Sequence, residues 1–249
     1  MIKILIPTAK EMKVCQNIAR PKLSAQTQII IDYFSTLTVS DLETVSDLED
    51  IYRINTSAAR CEAQRWQDFK CKQLTLNPAI KLFNGLMYRN IKRHNLSISE
   101  AQFMENSVFI TSALYGIIPA MTLISPHRLD FNTKIKINNN SLKVFWRENY
   151  DTFMQSDDIM VSLLSNEFET VFSPKERQKL IHLNFIEDRD GQLKTHSTIS
   201  KKARGKCLTA MMENNCQTLE HLKQLRFDGF CYDNELSDSK QLTFVKKQT

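Results

Sequence analysis

The chain opens with the stretch Ile2-Lys3-Ile4-Leu5-Ile6, and Pro7-Thr8-Ala9-Lys10 follows at once. This apolar, β-branched run predicts a β-strand, which ends at Pro7 because proline has no N–H to donate to a neighbouring strand. The segment after a central strand is a common place for ligand contacts, so Lys10 is a candidate binding residue. Taken alone, Lys10 is equally consistent with an ordinary surface lysine.

Helices and strands are interleaved along the rest of the chain. Helical periodicity and capping residues predict helices over residues 24–37, 58–69, 142–154, 200–214 and 218–225. Apolar runs predict strands over 80–83, 108–113, 134–137 and 159–164. Turn residues, including Asp190-Gly191, predict hairpins that join 181–187 to 193–199 and 230–232 to 242–245.

Serine followed three residues later by Glu or Gln predicts further helix starts. Ser99 with Gln102 predicts a short helix. The duplicated segments 39–43 and 45–49 place Ser40 before Glu43 and Ser46 before Glu49, which predicts two successive helix starts.

The order of these elements predicts the fold class. The strands and helices lack the steady alternation of a doubly wound fold, and no low-complexity linker divides the chain. We therefore expect one α+β domain of irregular mixed topology over residues 1–249.

Composition excludes several classes of protein. In 249 residues, a hydrophobic share of 42% excludes wholesale disorder. No apolar run approaches the roughly 18–20 residues that a membrane-spanning helix needs, and no secretory signal is recognisable. We therefore expect a cytoplasmic monomer without membrane contact.

The cysteines, histidines and glycines predict no cofactor. The six cysteines have neither zinc-site nor dithiol spacing, so we expect reduced, partly buried thiols. The five histidines show no ligand motif, and the five glycines form no phosphate-binding loop. The sequence predicts neither a metal nor a nucleotide cofactor.

A basic cluster lies in Ser200-Lys201-Lys202-Ala203-Arg204-Gly205-Lys206. On a helix, Ala203, Cys207 and Met211 form an apolar stripe, and Arg204 lies at its edge. A guanidinium near the core must be paired or must line a cleft. Cations at the start of a helix attract a phosphate, so we expect an anion site at Lys201, Lys202, Arg204 and Lys206. The alternative is a solvated basic face.

Two other segments carry charged side chains that can join this site. Ser125-Pro126-His127-Arg128-Leu129-Asp130-Phe131 is an irregular segment, and loops often carry function. Arg128 and Asp130 are alternatively an ion pair across a turn. Glu167 follows a predicted strand and is a candidate for acid–base work or, more simply, a helix-capping acid.

The ordered motifs resemble the YaaA family of peroxide stress response proteins. They are Ala9-Lys10, Ser112-Ala113-Leu114-Tyr115-Gly116, Pro126-His127-Arg128-Leu129-Asp130, Phe145-Trp146, Leu163-Leu164-Ser165-Asn166-Glu167-Phe168, Lys201-Lys202-Ala203-Arg204-Gly205 and Gly229-Phe230-Cys231-Tyr232-Asp233. The chain departs from the family pattern in two places: Asp130 replaces a Glu, and the family's Ser-Pro-Ala-Lys appears as Pro7-Thr8-Ala9-Lys10, so the serine is missing from its usual place.

The resemblance implies a positively charged cleft and a helix-hairpin-helix element, for which residues 200–225 are the candidate. It also implies DNA binding that limits oxidative DNA damage under peroxide stress, with reduced availability of iron. Basic positions of the family motifs correspond to Lys10, Arg128, Lys201, Lys202 and Arg204.

Two functions from different classes follow. The first is a protein that binds duplex or branched DNA through its phosphates, with little sequence preference. The second is an enzyme for a small anionic or nucleoside-like substrate, because a surface that grips only phosphate has little use for Asp130 and Glu167. A compact pocket joining Lys10, Arg128, Asp130, Glu167 and Arg204 favours the second. Direct iron sequestration is a third possibility, for which the sequence offers no ligand cluster.

Overall fold

Five parallel strands form the centre of the largest sheet. The structure is a computed structural model, and it describes residues 1–14, 23–36, 42–189 and 191–247, with no side-chain placement for 42–44. The helices are α1 (Ala25–Ser35), α2 (Leu42–Tyr52), α3 (Thr56–Cys71), α4 (Ala79–Leu82), α5 (Ile98–Ser107), α6 (Leu142–Phe153), α7 (Asn166–Glu169), α8 (Pro174–Arg177), α9 (Ser197–Glu213) and α10 (Leu219–Gln224).

The strands include two short ribbons as well as the large sheet. They are β1 (Ile2–Pro7), β2 (Asn77–Pro78), β3 (Val108–Ser112), β4 (Gly116–Pro119), β5 (Leu123–Ile124), β6 (Lys136–Ile137), β7 (Asn140–Ser141), β8 (Ile159–Ser162), β9 (Ile181–Arg189), β10 (Gln192–Lys194), β11 (Arg226–Phe227), β12 (Phe230–Asp233) and β13 (Gln241–Lys247). A 3-10 turn covers Tyr88–Asn90.

The strand order of the large sheet is β11-β12-β13-β9-β8-β1-β3-β4, and β10 pairs with β9. The pairs β3–β1, β1–β8, β8–β9 and β9–β13 are parallel, whereas β4, β10, β11 and β12 join their neighbours antiparallel. The remaining strands form the two-stranded ribbons β2–β5 and β6–β7. The chain is thus a mixture of helices and strands, as expected, and its large sheet is mostly parallel. Its extent as one domain stays a prediction.

Strand β1 has a parallel neighbour on each side, and a hydrophobic core covers each of its faces. Ile4 and Ile6 belong to one hydrophobic core, whereas Leu5 belongs to the other. The first core includes Cys207 and Met211 of α9, and the second includes Trp146 of α6. Because side chains alternate along a strand, the apolar residues of β1 serve both cores.

Several sequence predictions are confirmed. Helices α1, α3, α6, α9 and α10 and strands β1, β3 and β8 occur where periodicity placed them. The closing hairpin pairs β12 with β13 antiparallel. The earlier hairpin pairs β9 with β10, and Gly191 in its turn has φ of 81°, while Asp190 lies outside the described residues.

Three local predictions were wrong. Residues 80–83 are not a strand, because Ala79–Leu82 form the helical turn α4. Helix α5 starts at Ser97 with a reciprocal cap from Glu100, not at Ser99 with Gln102. Ser46 and Glu49 lie inside α2 and start no second helix, whereas residues 39–41 lie outside the described part of the chain.

Helix α9 begins earlier than the sequence indicated. Its N-cap is His196, so Ser197 is the first helical residue and Lys201 lies in the second turn. The expectation that Lys201 and Lys202 load the opening turn was therefore wrong, and the helix dipole gives little reason for an anion there because its effect fades within the first turn. The strand predicted over 193–199 is correspondingly shorter.

No helix in the described ranges is long and apolar enough to cross a bilayer.

Candidate functional site

A pocket of about 390 Å³ lies beyond the carboxyl ends of β1 and β8, which are neighbours in the middle of the sheet. Its wall includes six of the eight predicted site residues: Lys10, Arg128, Asp130, Glu167, Lys201 and Arg204. They come from segments far apart in the sequence. Open sheets with parallel strands commonly bind ligands at this edge.

Lys10 and Asp130 form an ion pair inside this pocket. Nζ of Lys10 lies 3.2 Å from Oδ2 of Asp130. The loop that carries Lys10 is fixed because Met12 bridges to Phe83 and the Lys13 N–H donates to the Leu82 carbonyl at 2.8 Å. Asp130 therefore pairs with Lys10, and the predicted alternative of a pair with Arg128 is not formed.

The loop that carries Arg128 is held by two carboxylates. The Arg128 N–H donates to Oε2 of Glu62 at 3.0 Å, and the Phe131 N–H donates to Oε1 of Glu167 at 3.1 Å. Glu62 is buried and also pairs with Arg65 at 2.6 Å. These bonds place the Arg128 side chain at the pocket, where its buried Nε has no hydrogen-bond partner.

Helix α9 presents Thr198, Lys201 and Arg204 to the pocket, at the three-residue spacing that puts side chains on one helix face. Nε of Arg204 is also buried without a hydrogen-bond partner. Burial lowers the pKa of Arg204, and the nearby Glu169 carboxylate opposes that shift. No carboxylate among the described residues lies within ion-pair distance of Arg204, so its charge is directed at an open cavity.

Close approach of two backbones makes this placement possible. A Cβ atom on Gly205 would lie 2.3 Å from the Met87 carbonyl oxygen, so only glycine lets α9 pack against that segment. A Cβ atom on Gly85 would lie 2.7 Å from Cβ of Ala9. Both glycines therefore set the distance between walls of the pocket.

Lys202 and Lys206 lie outside the pocket. Lys202 is exposed, and no acid in the described ranges is within ion-pair distance of it. Nζ of Lys206 lies 2.5 Å from Oδ1 of Asp228 and is neutralised there. The sequence cluster is thus divided between different faces of α9.

Glu167 is the pocket carboxylate with a raised pKa. Burial raises the pKa, the neighbouring Asp130 raises it further, and Lys10 and Lys143 partly oppose both. Glu169 behaves in the opposite way, because hydrogen bonds from His182 and Ser162 outweigh its burial and lower its pKa. Glu169 thus lies close enough to Arg204 to act on its charge, whereas the charges that act on Glu167 are those of Asp130, Lys10 and Lys143.

Sequence reasoning did not select His127, which lines the same pocket and is 2% exposed. Its Nδ1 lies 2.9 Å from the Ser125 carbonyl oxygen, so Nδ1 carries the proton and Nε2 keeps a lone pair. Burial lowers the pKa of His127 to about 4, so the ring is neutral at pH 7. The Pro126–Asp130 motif contained the signal, but nothing in it showed burial.

The apolar part of the pocket was also missed. Phe83 and Met87 of one core and Leu129 and Phe168 of the other line it, together with Leu86. Tyr88 closes the base, where its O–H donates to the Pro7 carbonyl at 2.8 Å. Such residues are indistinguishable from ordinary core residues in a sequence.

The described thiols and metal-ligating side chains add no further centre. Cys61 and Cys71 are exposed, Cys207 and Cys216 are buried, and all four are free thiols. Burial raises the pKa of Cys216 to about 11, which disfavours its thiolate. Within residues 1–14, 23–36, 42–189 and 191–247, no three His, Cys, Asp or Glu side chains are grouped as metal ligands.

Comparison with known proteins shows similarity over almost the whole chain. The profile of a family described as peroxide stress protein YaaA matches residues 2–236. A UPF0246 protein of Streptococcus agalactiae serotype Ia is 98% identical over 249 residues, covering 100% of both chains. UPF0246 proteins of Streptococcus thermophilus and Streptococcus pneumoniae are 49% and 47% identical, covering 99% of this chain and 98% and 100% of theirs.

Proposed function

The chain belongs to the family of the peroxide stress protein YaaA, and from that premise we propose that it serves the peroxide stress response as an enzyme for a small anionic substrate. One observation carries the proposal: Lys10, Arg128, Asp130, Glu167 and Arg204 converge on one pocket of about 390 Å³. A volume of this size lies within the range of about 300–1,000 Å³ that is usual for small-molecule sites.

The chemistry of the wall divides into two roles. Arg128 and Arg204 orient an anion, because each has a buried Nε without a partner and a low-dielectric setting strengthens the attraction. Glu167 and neutral His127 supply proton acceptors in the same space. A carboxylate with a raised pKa and a histidine that is neutral at pH 7 are typical of acid–base sites.

Thermal unfolding with added anions tests the site. We expect inorganic phosphate, ribose 5-phosphate or citrate to raise the melting temperature of the wild type, since a ligand that binds only the folded state stabilises it. Arg204→Gln should lose at least about nine-tenths of the affinity for these anions, because the variant lacks one charge-assisted hydrogen bond. Lys202→Gln is the matched control on the same helix and should behave as wild type. Equal anion responses in both variants contradict the proposal.

DNA binding is the second candidate, favoured by one specific observation. Lys201 at the pocket and Lys202 beside it in the sequence are both exposed, and neither is within ion-pair distance of an acid in the described ranges. In this proposal a positively charged cleft grips phosphates of duplex or branched DNA. The α9–α10 pair is the proposed helix-hairpin-helix, although the Asn215 and Cys216 N–H groups already donate to the Met212 and Met211 carbonyls. The lysines would therefore carry the phosphate contacts.

Salt dependence of DNA affinity tests this candidate. Each phosphate contact contributes a slope of about −0.9 in log affinity against log salt. Substituting Lys201, Lys202 and Arg204 by Ala should weaken binding of a duplex and flatten the slope by about two to three. If DNA is the ligand, the double variant Lys201→Ala, Lys202→Ala should lose most of the duplex affinity that the triple variant loses. If the ligand is a small substrate, the loss of its affinity should come from the change at Arg204. Unchanged duplex affinity in the triple variant contradicts DNA binding.

A further inference from the structure

We propose that the ligand of the pocket is a single nucleotide unit that ends in a phosphomonoester, either a free mononucleotide or the phosphorylated end of a DNA strand. The inference rests on the proposed small-anion function and names its substrate class. The supporting features are the charge of the pocket, its apolar wall and its hydrogen-bond acceptors.

The charge of the wall fits a dianion. The lining cations are Lys10, Arg128, Lys201 and Arg204, and the lining carboxylates are Glu11, Asp130 and Glu167. Oε2 of Glu11 lies 2.5 Å from Nη1 of Arg89, and Arg89 is not part of the wall. This ion pair neutralises the charge of Glu11. Two positive charges remain in excess, which matches a phosphomonoester near pH 7 better than a phosphodiester with one charge.

The two arginines supply donors that the protein itself leaves unused. A buried N–H without a partner costs about 1–3 kcal/mol, so it is retained where a ligand completes it. Nε of Arg128 and Nε of Arg204 are both of this kind and both residues line the same cavity. Phosphate oxygens are the acceptors that a planar guanidinium binds best, often through two parallel hydrogen bonds.

The remaining wall fits a nucleoside better than a small inorganic ion. Phe83, Met87, Leu129 and Phe168 are each less than 9% exposed and give the cavity an apolar side. Asp130 and Glu167 are acceptors for hydroxyl or amino groups and would repel a second phosphate. A ribose with its base has an apolar ring and polar N–H and O–H donors, which these side chains match.

The volume restricts the ligand to one unit. About 390 Å³ lies near the lower end of the range for small-molecule sites, so a duplex cannot enter and a second nucleotide would remain outside. Exposed Lys201 at the mouth would then contact the next phosphate of a strand. A free nucleotide and a strand end share the same buried chemistry and differ only outside the pocket.

Equilibrium binding with matched probes tests the inference. Calorimetry compares the four nucleoside 5′-monophosphates with their nucleosides, with their 5′-phosphate methyl esters, and with ribose 5-phosphate and inorganic phosphate. A second arm compares a 5′-phosphorylated single-stranded DNA with the same strand ending in a 5′-hydroxyl. Each probe is measured on wild type, Arg204→Gln and the control Lys202→Gln.

The expected result is that at least one monophosphate binds tenfold or more tightly than its nucleoside and its methyl ester. Arg204→Gln should abolish this difference, and Lys202→Gln should keep it. A preference for the phosphorylated strand over the mononucleotide assigns the strand end as the source, and the reverse assigns the free nucleotide. Ribose 5-phosphate or inorganic phosphate binding as tightly as every nucleotide overturns this inference but leaves the small-anion function. If no probe binds to the wild type, or if Arg204→Gln binds the probes as tightly as the wild type does, the nucleotide inference and the small-anion function are both overturned.

Discussion

Arg204 carries a charge that the fold does not use. Its Nε is buried without a partner, whereas the guanidinium of Arg93 donates to the carbonyls of Ile80 and Phe83 at 3.1 and 2.8 Å. Burial lowers the pKa of Arg204 more than the Glu169 carboxylate raises it, so the charge is kept at a net cost to the folded state, as expected of a group that binds a ligand.

This contrast gives a stability prediction. Arg204→Met should leave the free energy of unfolding unchanged or raise it by up to about 2 kcal/mol, because it removes an uncompensated buried charge. Arg93→Met should lower it by about 2–3 kcal/mol, because two buried carbonyls lose charge-assisted donors. Urea unfolding of both variants measures the difference. A loss for Arg204→Met as large as that for Arg93→Met would mean that Arg204 is structural.

His127 makes stability depend on pH. Its pKa is lowered by burial to about 4 in the folded state, against about 6.5 when unfolded, so the unfolded chain binds the extra proton between these values. Stability is therefore complete above pH 6.5 and falls as the pH drops towards 4, by about 3 kcal/mol in total.

The variant His127→Gln should flatten the dependence of the unfolding free energy on pH between 6.5 and 4.5, whatever its absolute stability. His94→Gln is the control, because His94 is exposed. Denaturant titrations at several pH values supply the slopes. Identical slopes in wild type and His127→Gln would show that His127 titrates normally.

Glu167 should make anion binding depend on pH. Burial and Asp130 raise its pKa, so a proton binds to it above the ordinary range of a glutamate. Protonation removes a negative charge from the pocket, and anion affinity therefore rises as the pH falls through that raised pKa. Sulfate is a suitable probe because it does not titrate there.

In Glu167→Gln, sulfate should bind more tightly than in wild type at pH 7, by roughly threefold to tenfold, and its affinity should change less with pH. A factor of ten corresponds to about 1.4 kcal/mol, a reasonable size for one partly buried charge. Calorimetric titration at pH 5 and pH 7 measures both effects. Wild-type affinity that is equal at the two pH values is the contrary outcome.

At the scale of elements, the contact between α9 and the Met87–Asn90 segment sets the shape of the pocket. Gly205 lies in the middle of a helix, where alanine would ordinarily stabilise by up to about 1 kcal/mol. Here the added Cβ meets the Met87 carbonyl oxygen at 2.3 Å and Cβ of Asn90 at 2.8 Å. A backbone atom cannot rotate away, so the sign of the effect reverses.

Gly205→Ala should therefore lower the free energy of unfolding by about 1–3 kcal/mol and weaken anion binding, because α9 must move away and take Arg204 with it. Lys202→Ala in the same helix, at an exposed position, should change neither quantity by more than about 0.5 kcal/mol. Chemical denaturation and phosphate titration of the two variants are the measurements. A stabilised Gly205→Ala protein would contradict the close contact.

Over the whole molecule, β1 is the strand on which both cores and the pocket depend. It pairs with β3 and β8, and its apolar residues from Ile2 to Ile6 are fully buried. The loop that follows it carries Lys10 into the pocket. Opening of β1 therefore requires the loss of both cores. The rate of amide hydrogen exchange in β1 is for this reason a measure of global stability.

Amide hydrogen exchange should be slowest in β1 and fastest in β10, whose three residues are exposed and which pairs with one strand only. The amides of Ile4, Leu5 and Ile6 should exchange with a free energy close to that of global unfolding, about 5–15 kcal/mol for a typical protein. Mass spectrometry or NMR resolves the two segments. Comparable exchange in β1 and β10 would contradict the central role of β1.

The sequence by itself determined the elements whose signals are local. The run Ile2–Ile6 predicted β1, the periodic residues of 142–154 predicted α6, and the apolar stripe of Ala203, Cys207 and Met211 predicted the buried face of α9. Of the five basic residues that the family resemblance singled out, Lys10, Arg128, Lys201 and Arg204 line one pocket, and Lys202 does not. The sequence did not determine the N-cap of α5, because Ser97 and Ser99 are both acceptable N-cap residues. The reciprocal hydrogen bonds between Ser97 and Glu100 decide between them.

Only the tertiary structure decided which charges share a space. Helix periodicity alone separates Lys201 from Lys206, but only the tertiary contacts show that Lys201 lines the pocket and that Asp228 neutralises Lys206. Arg128 and Arg204 are far apart in sequence, yet both leave a buried Nε unpartnered in the same wall. The physical reason is that ion pairing, burial and pocket shape depend on contacts between distant segments, whereas sequence periodicity reports only how one segment meets the core.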